Sequence, residues 1–177
     1  MVVPVILYGS STLRKHSAEV TEDDNIRGIN NMLFDTLKKS EGIGLAASQI
    51  SILKRVFIID TSPLAEQDKR IEKFEGIFIN PSIIERNTEF TIYREGCLSF
   101  PDIFEEVERP GKIRVRYQDI FLNSVEEDLE GVKARVFQHE FDHLNGVLFI
   151  DKIGSLRRNL LKSKLNRIKR MPGYYKT

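Results

Sequence analysis

The clearest pattern in the chain is an alternation of apolar and polar residues in its central part. Ile113, Val115 and Tyr117 alternate with basic residues. A period of two predicts a strand with one buried face. The segment 89–93 alternates in the same way. Because no long helical pattern separates these segments, the sequence predicts antiparallel pairing and an α+β fold class.

Apolar residues at helical spacing predict helices in three other parts of the chain. The first helix is expected at about 22–39 and ends before Gly42. The second is expected at about 125–144, and the third, which is basic and amphipathic, at 155–171. The apolar stripe of the third helix consists of Leu156, Leu160, Leu161, Leu165 and Ile168.

Short apolar runs predict further strands. These runs lie at 2–8, 54–60, 77–79, 83–84 and 147–150. The charged segment 61–75 predicts a loop, and Pro4 suggests that the first strand lies at an edge or terminus.

The composition is typical of one globular domain, which we expect to span 1–177, with a C-terminal basic helix and tail at 154–177. Hydrophobic residues make up 41% of the chain and charged residues 30%, as in soluble proteins. No segment approaches the roughly 18 apolar residues that span a membrane, and the first residues lack a signal-peptide pattern. The single cysteine excludes an internal disulfide and fits a reducing compartment. We therefore expect a cytoplasmic protein.

Charge is distributed unevenly, although the net charge is only +1. From Lys152 to the end there are nine Lys and Arg residues and no Asp or Glu. The protein is thus an acidic body with a basic C-terminal segment.

The strongest chemical motif is Gln138-His139-Glu140-Phe141-Asp142-His143. Residues four apart lie on the same face of a helix, so His139 and His143 can bind one metal ion. Glu140 lies beside them and can transfer protons. This pattern predicts metal-dependent hydrolysis.

Two histidines do not complete a catalytic metal site, which typically has three protein ligands and a water. The metzincin pattern has a further histidine at the position of Phe149 in this chain. His16 and Asp151 are candidates, but His16 lies in a polar stretch and Asp151 follows a glycine break. Cys97 is the best candidate, because thiolate suits a borderline-soft divalent metal and Gly96 allows close approach.

Three motifs, taken together, resemble those of the bacterial peptide deformylases. They are Gly42-Ile43-Gly44-Leu45-Ala46-Ala47-Ser48-Gln49, Glu95-Gly96-Cys97-Leu98-Ser99 and the His-Glu motif. The segments 13–15 and 147–149 are also similar to members of the family. The resemblance implies antiparallel sheets around the helix that carries His139. It also implies removal of the formyl group from N-formylmethionine of new proteins, with release of formate.

The resemblance also implies residue roles. Glu140 would act as general base and then general acid, while the Gln49 amide and the Leu98 N–H would stabilise the oxyanion. The substrate backbone would pair with Ile43, Gly44 and Gly96. Val132, Val136 and Tyr93 would line the methionine pocket. The metal ligands would be Cys97, His139 and His143. The implied native metal is Fe(II), with zinc, nickel or cobalt as substitutes, whereas ligand softness alone suggests zinc.

Two other functions compete with this one. A zincin-type endopeptidase shares the His-Glu motif, but this chain has neither the third histidine nor a downstream glutamate. A ribosome- or RNA-binding protein could use the basic C-terminal helix, because clustered positive charge binds phosphates. That helix could equally pack through its leucines and leave its basic face in solvent. In some members of the family it docks on the ribosome.

Overall fold

The computed structural model describes residues 1–171 and contains two antiparallel sheets. The larger has five strands in the order β1-β2-β3-β6-β7. Its strands are β1 (Gly44–Ala46), β2 (Val56–Asp60), β3 (Glu75–Arg86), β6 (Lys112–Gln118) and β7 (Ser124–Glu130). The smaller sheet pairs β4 (Phe90–Gly96) with β5 (Phe104–Pro110). The predicted α+β class with antiparallel sheets is confirmed.

Helix α3 (Gly131–Leu144) is the helix around which the rest packs, and most of its residues are buried. Phe137 lies in one hydrophobic cluster with Phe57 and Phe78 of the large sheet. The other helices are α1 (Ile26–Ser40), α2 (Ser62–Gln67), α4 (Ser155–Leu160) and α5 (Lys162–Ile168). Asn25 caps α1 by accepting a hydrogen bond from the Gly28 N–H at 3.0 Å. Among residues 1–171, no helix is long and apolar enough to cross a membrane.

Helix α3 is shorter than the helix predicted at about 125–144, because 124–130 forms strand β7. Its residues are mostly acidic and pair with basic residues of β6, as in the cross-strand pairs Arg114–Asp128 and Arg116–Glu126. Opposite charges across a strand pair are stabilising. Only Leu129 of β7 is buried, so the apolar signal of this strand is weak. The helix begins at Gly131, which has a positive φ of 59°.

Two predicted strands are wrong. Segment 2–8 forms no named strand, although the Ile6 and Tyr8 N–H groups donate hydrogen bonds to the Gln49 and Ser99 carbonyls at 2.8 and 2.9 Å. Segment 147–150 runs into a 3₁₀ helix, Phe149–Asp151, because the side chain of Asp151 accepts a hydrogen bond from the Leu148 N–H at 2.9 Å.

Two further segments are more regular than predicted. The charged segment 61–75 contains α2, which has a proline in its first turn, a favourable position for that residue. The strand pieces around Asn80-Pro81 form the single strand β3. The register of β3 against β6 shifts between Ile79 and Ser82, and Asn80 has a positive φ of 47°, so the strand accommodates the proline as a bulge.

The C-terminal segment forms two short helices, α4 and α5, in place of one long helix. Leu161, Leu165 and Ile168 are buried in a cluster that also contains Leu7 and Leu13. The predicted apolar stripe is therefore correct only in part, because Leu156 and Leu160 are 74% and 67% exposed. Through the three buried residues, the end of the chain completes the core formed by its beginning.

Candidate metal and catalytic site

Three side chains that could hold a metal ion converge from two parts of the fold. His139 and His143 lie one helical turn apart on α3, and Cys97 follows the last residue of β4. Their donor atoms all lie within 4.8 Å of one another. The Cys97 Sγ is 3.3 Å from the His143 Nε2. One thiolate and two imidazoles within this distance are a donor set that fits a single divalent metal.

The other two candidates from the sequence do not join this group. His16 is exposed. The carboxylate of Asp151 forms an ion pair with Arg14 and caps the 3₁₀ helix described above. Neither residue is needed to complete the three-donor cluster.

Glu95 fixes the orientation of His139. The Glu95 Oε2 is 3.0 Å from the His139 Nδ1, and both side chains are buried. Because the Nδ1 of the ring is engaged with the carboxylate, the Nε2 is the nitrogen left to bind a metal. Burial opposes ionisation of Glu95, but hydrogen bonds with Arg109 and His139 outweigh it. They hold the pKa of this carboxyl well below its ordinary value.

Arg109 joins Glu95 to helix α3. Its guanidinium donates from Nε and Nη2 to the two Glu95 oxygens, at 2.6 and 2.9 Å, and from Nη1 to the Asp142 carboxylate at 2.6 Å. Although burial lowers the pKa of Arg109, its hydrogen bonds and charge pairing with Glu95 and Asp142 raise it above its ordinary value. The two acids and the arginine thus form one ionic network, in which Glu95 and Arg109 are buried and Asp142 is partly exposed.

Arg135 also belongs to this network. It lies on α3 among the residues that line the cavity described below, and its side chain is buried. It donates to Glu95 and to the Val107 carbonyl, both at 3.0 Å, and to the Thr91 carbonyl at 2.6 Å. Arg135 therefore ties α3 to both strands of the small sheet.

Sequence reasoning assigned no role to Glu95, Arg109 or Asp142. The sequence feature that could have identified this network is the alternation in β5, where Glu105, Val107 and Arg109 share the buried face. A strand pattern that places a charged residue on the face of a valine predicts a buried ion partner, since charged residues are rarely buried without one.

Gln49, in the small-residue segment 42–49, reaches the three candidate metal ligands. Its Oε1 accepts a hydrogen bond from the Ala46 N–H at 2.9 Å. Its Nε2 donates to the Ser99 Oγ at 3.1 Å and lies 3.5 Å from the Cys97 Sγ. The side chain is almost fully buried, so its amide is held in one orientation beside Cys97.

The carboxyl group of Glu140 lies directly against Gly44. A Cβ atom at Gly44 would lie 2.5 Å from the Glu140 Oε1 and 2.7 Å from the Val136 Cγ1. Glycine is therefore required by the close approach of β1 to α3. Burial raises the pKa of Glu140 to about 7, although the charge of His139 opposes this shift. Among the described residues, the Glu140 Oε2 is buried and has no hydrogen-bond partner.

A cavity of about 430 Å³ opens onto these groups. Every residue predicted from the sequence to touch the substrate lines it, as do Cys97, His139, Glu140 and Gln49. The substrate set comprises Ile43, Gly44, Gly96, Leu98, Val132, Val136 and Tyr93. His143 is absent from the lining because it lies behind Cys97, 1% exposed. Leu64 of α2 also lines the cavity, a contact that the sequence did not predict.

Comparison with known proteins agrees with this geometry. Residues 2–159 match the family model of polypeptide deformylase. The peptide deformylase of Thermotoga petrophila is 46% identical over 167 residues, which cover 93% of this chain and 94% of the relative.

Solved structures of peptide deformylases are similar to this chain as well. A peptide deformylase from Plasmodium falciparum superposes with a TM-score of 0.85 at 41% identity, covering 94% of this chain and 95% of that one. The Met-Ala-Ser-bound peptide deformylase from Acinetobacter baumannii has a TM-score of 0.81 at 34% identity, covering 86% and 99%. The chain belongs to the polypeptide deformylase family.

Proposed function

We propose that this protein removes the formyl group from N-formylmethionyl peptides by metal-dependent hydrolysis and releases formate. The observation that carries the proposal is the cluster of three metal donors beside one cavity, which Cys97 and His139 line together with a buried carboxyl group and an oriented amide. Family membership supports the same reaction.

Cys97, His139 and His143 would hold the metal. We propose Fe(II) on the resemblance to the family, with zinc, nickel or cobalt as substitutes. When bound, such a metal supplies Lewis acidity that polarises a carbonyl group and makes water acidic. The network of Glu95 and Arg109 keeps His139 in the orientation that this requires.

Glu140 would transfer the proton. Its carboxylate accepts a proton from the attacking water and then passes it to the leaving amine. A group that performs both steps works best when its pKa lies near the operating pH, and burial shifts the pKa of Glu140 upward from its ordinary value. Gly44 allows the substrate backbone to pass close to this group.

Gln49 and Leu98 would stabilise the negative charge that develops on the formyl oxygen. The Gln49 amide donates, together with the Leu98 backbone N–H. Donors fixed before the reaction stabilise such charge most effectively. The Gln49 side chain is held by Ala46 and Ser99, and its contact with the Cys97 Sγ is the longest of the three at 3.5 Å.

The substrate would bind as an extended strand. β1 lies at the edge of the large sheet, and among the described residues β4 pairs only with β5. Ile43 and Gly44 on one side and Gly96 on the other can therefore pair with a peptide backbone. Its methionine side chain would enter the part of the cavity lined by Val132 and Val136.

Removal and replacement of the metal tests this assignment. Protein freed of metal by a chelator is expected to release no formate from formyl-Met-Ala-Ser. Reloading with Fe(II) under anaerobic conditions should restore turnover with one metal bound per chain, and zinc, nickel and cobalt should restore it to different extents. Full turnover by protein shown to contain no metal would contradict the proposal.

The zincin-type endopeptidase is not supported. The family model, the named relatives and the structural neighbours are all deformylases, and Phe149 is a buried core residue where a metzincin has its third histidine.

We also propose that residues 1–177 form one catalytic domain, which acts in the cytoplasm. The buried cluster shared by Leu7, Leu13 and Leu165 joins the two ends of the described chain. Residues 172–177 lie outside the described part. The proposed substrates are new protein chains, which supports a cytoplasmic location.

The basic face of the C-terminal helices is proposed to bind the ribosome. Lys162, Lys164, Arg167 and Arg170 are all exposed. Replacing these four residues with glutamine is expected to weaken co-sedimentation with ribosomes and to reduce its salt dependence by about three units of log–log slope. These substitutions are preferable to deletion of residues 154–177, because the deletion would remove Leu161 and Leu165 from the core.

A matched control replaces exposed lysines elsewhere in the chain, namely Lys15, Lys39, Lys69 and Lys112. This variant has the same net charge and should retain ribosome association. Equal association of both variants and the wild type would contradict the proposed surface.

A further inference from the structure

The N-terminal segment 5–8 is bonded to both parts of the chain that carry the proposed oxyanion donors. The Ile6 N–H donates to the Gln49 carbonyl at 2.8 Å. The Tyr8 N–H donates to the Ser99 carbonyl at 2.9 Å. Ser99 directly follows the residue whose backbone N–H is the second proposed donor. Two backbone hydrogen bonds from one short segment therefore hold both donor residues or their immediate neighbours.

The buried side chains of this segment fix it on the same two parts of the chain. Val5 lies in a hydrophobic cluster with Ile50, which follows the first carbonyl acceptor. Leu7 lies in a different cluster with Phe100, which follows the second acceptor. The segment therefore crosses from one cluster to the other, and its packing fixes the position of one acceptor relative to the other.

The C-terminal helix α5 packs against this segment as well. Leu165 of α5 is buried in the same cluster as Leu7. The Nζ of Lys169, directly after α5, lies 5.3 Å from the centre of the Tyr8 ring. Contacts from both ends of the chain thus hold the segment against its two acceptors.

The two anchored parts are also bonded to each other. The Gln49 Nε2 donates to the Ser99 Oγ at 3.1 Å, so a shift of Ser99 would move this acceptor together with the neighbouring Leu98 N–H. Oxyanion donors are effective only when they are fixed where the charge develops, and a misplacement of about 1 Å can cost about 100-fold in rate.

We propose that Ile6 and Tyr8 are positioning residues, whose backbone N–H groups hold the Gln49 amide and the Leu98 N–H where the oxyanion forms. This inference rests on the proposed function, in which those two groups are the donors. Ile6 acts on Gln49 directly, and Tyr8 acts on both donors through Ser99.

Replacing a single peptide N–H with an ester oxygen tests the inference, because every side chain is kept. An ester at Tyr8, introduced with 4-hydroxyphenyllactic acid, removes the donor to Ser99. With metal content equal to wild type, kcat for formyl-Met-Ala-Ser should fall about tenfold and KM should change less than about twofold, because oxyanion donors act in the transition state. The ester at Ile6 should have the same effect and carries the test if the Tyr8 ester does not fold.

The Gln49→Leu background separates positioning from a general loss of structure. Leucine is similar in size to glutamine but has no amide to position. The ester at Ile6 should lower kcat in this background by less than about twofold, since residues that act as a unit have non-additive effects.

The matched control is an ester at Ala18, introduced with lactic acid. The Ala18 N–H donates to the Leu53 carbonyl at 3.0 Å, and this bond also joins two separate segments of the chain. Neither residue lines the cavity. This protein should therefore keep the wild-type kcat and KM.

Four results would overturn the inference: wild-type kcat in both ester proteins, a loss confined to KM, the same loss of kcat from the Ile6 ester in Gln49→Leu, or an equal loss from the Ala18 ester. In each case the wild type still releases formate and the proposed function stands. If the wild type releases no formate from formyl-Met-Ala-Ser, the proposed function fails and the inference fails with it.

Discussion

Replacing Arg109 with methionine is expected to lower the free energy of unfolding by about 3–5 kcal/mol, the range for breaking a buried ionic network from one side. Arg109 is 3% exposed and bonds both Glu95 and Asp142. Without it, the buried Glu95 keeps only Arg135 and His139 as partners, and Asp142 keeps only Lys152. Methionine preserves much of the volume, so the loss reports the charge and hydrogen bonds rather than a cavity.

Chemical denaturation of the metal-free protein measures this effect, and Arg116→Met is the control. Arg116 is also a strand arginine with a carboxylate partner, Glu126, but its side chain is 58% exposed. Exposed pairs contribute about 0–1 kcal/mol, so the control should unfold near the wild-type midpoint. If Arg109→Met lowered the free energy of unfolding no more than Arg116→Met does, the ionic network would not stabilise the site.

Glu140→Gln is expected to reduce formate release by about 10²- to 10⁴-fold, the usual contribution of a positioned acid–base group. Glutamine has nearly the same shape as glutamate but cannot accept and return the proton. The three metal donors are unchanged, so the variant should still bind one metal per chain. Turnover of formyl-Met-Ala-Ser, measured on samples with equal metal content, gives the result.

Glu108→Gln is the control for this substitution. Glu108 lies on the exposed face of β5 and does not line the cavity, so its variant should show wild-type turnover. Wild-type turnover in Glu140→Gln would remove Glu140 from the proposed proton transfer.

The part of the site that lies on a single helix was predictable from the sequence. His139 and His143 are four residues apart, and helical geometry alone places them on one face. Cys97 was predicted on different grounds, because it does not lie on the helix that carries the two histidines. The number of ligands that a catalytic metal needs pointed to it, and the motif around it resembled the family. The structure brings all three donors together as expected.

The ionic network around His139 could not be predicted in the same way. Its members come from β4, β5 and α3, and no local spacing relates Glu95 to Arg109 or to Asp142. Only the packing of the small sheet against α3 brings them together. No alternating strand was predicted over 104–110, where Arg109 lies on the buried face of β5.

The errors in secondary structure have a related cause. Strand β7 is mostly acidic and is stabilised by its basic partner strand β6, so its own sequence has a weak strand signal. The segment 125–130 was therefore joined to the helix that follows it. Leu156 and Leu160 fit a helical apolar stripe but are exposed, because the core ends at Leu161.

The most direct test of the central claim is the joint measurement of both products. Fe(II)-loaded protein is incubated anaerobically with formyl-Met-Ala-Ser, and formate is quantified together with free Met-Ala-Ser. A deformylase releases one formate for each Met-Ala-Ser and leaves the tripeptide intact. Formation of formyl-Met together with Ala-Ser, or the absence of formate, would contradict the proposed function.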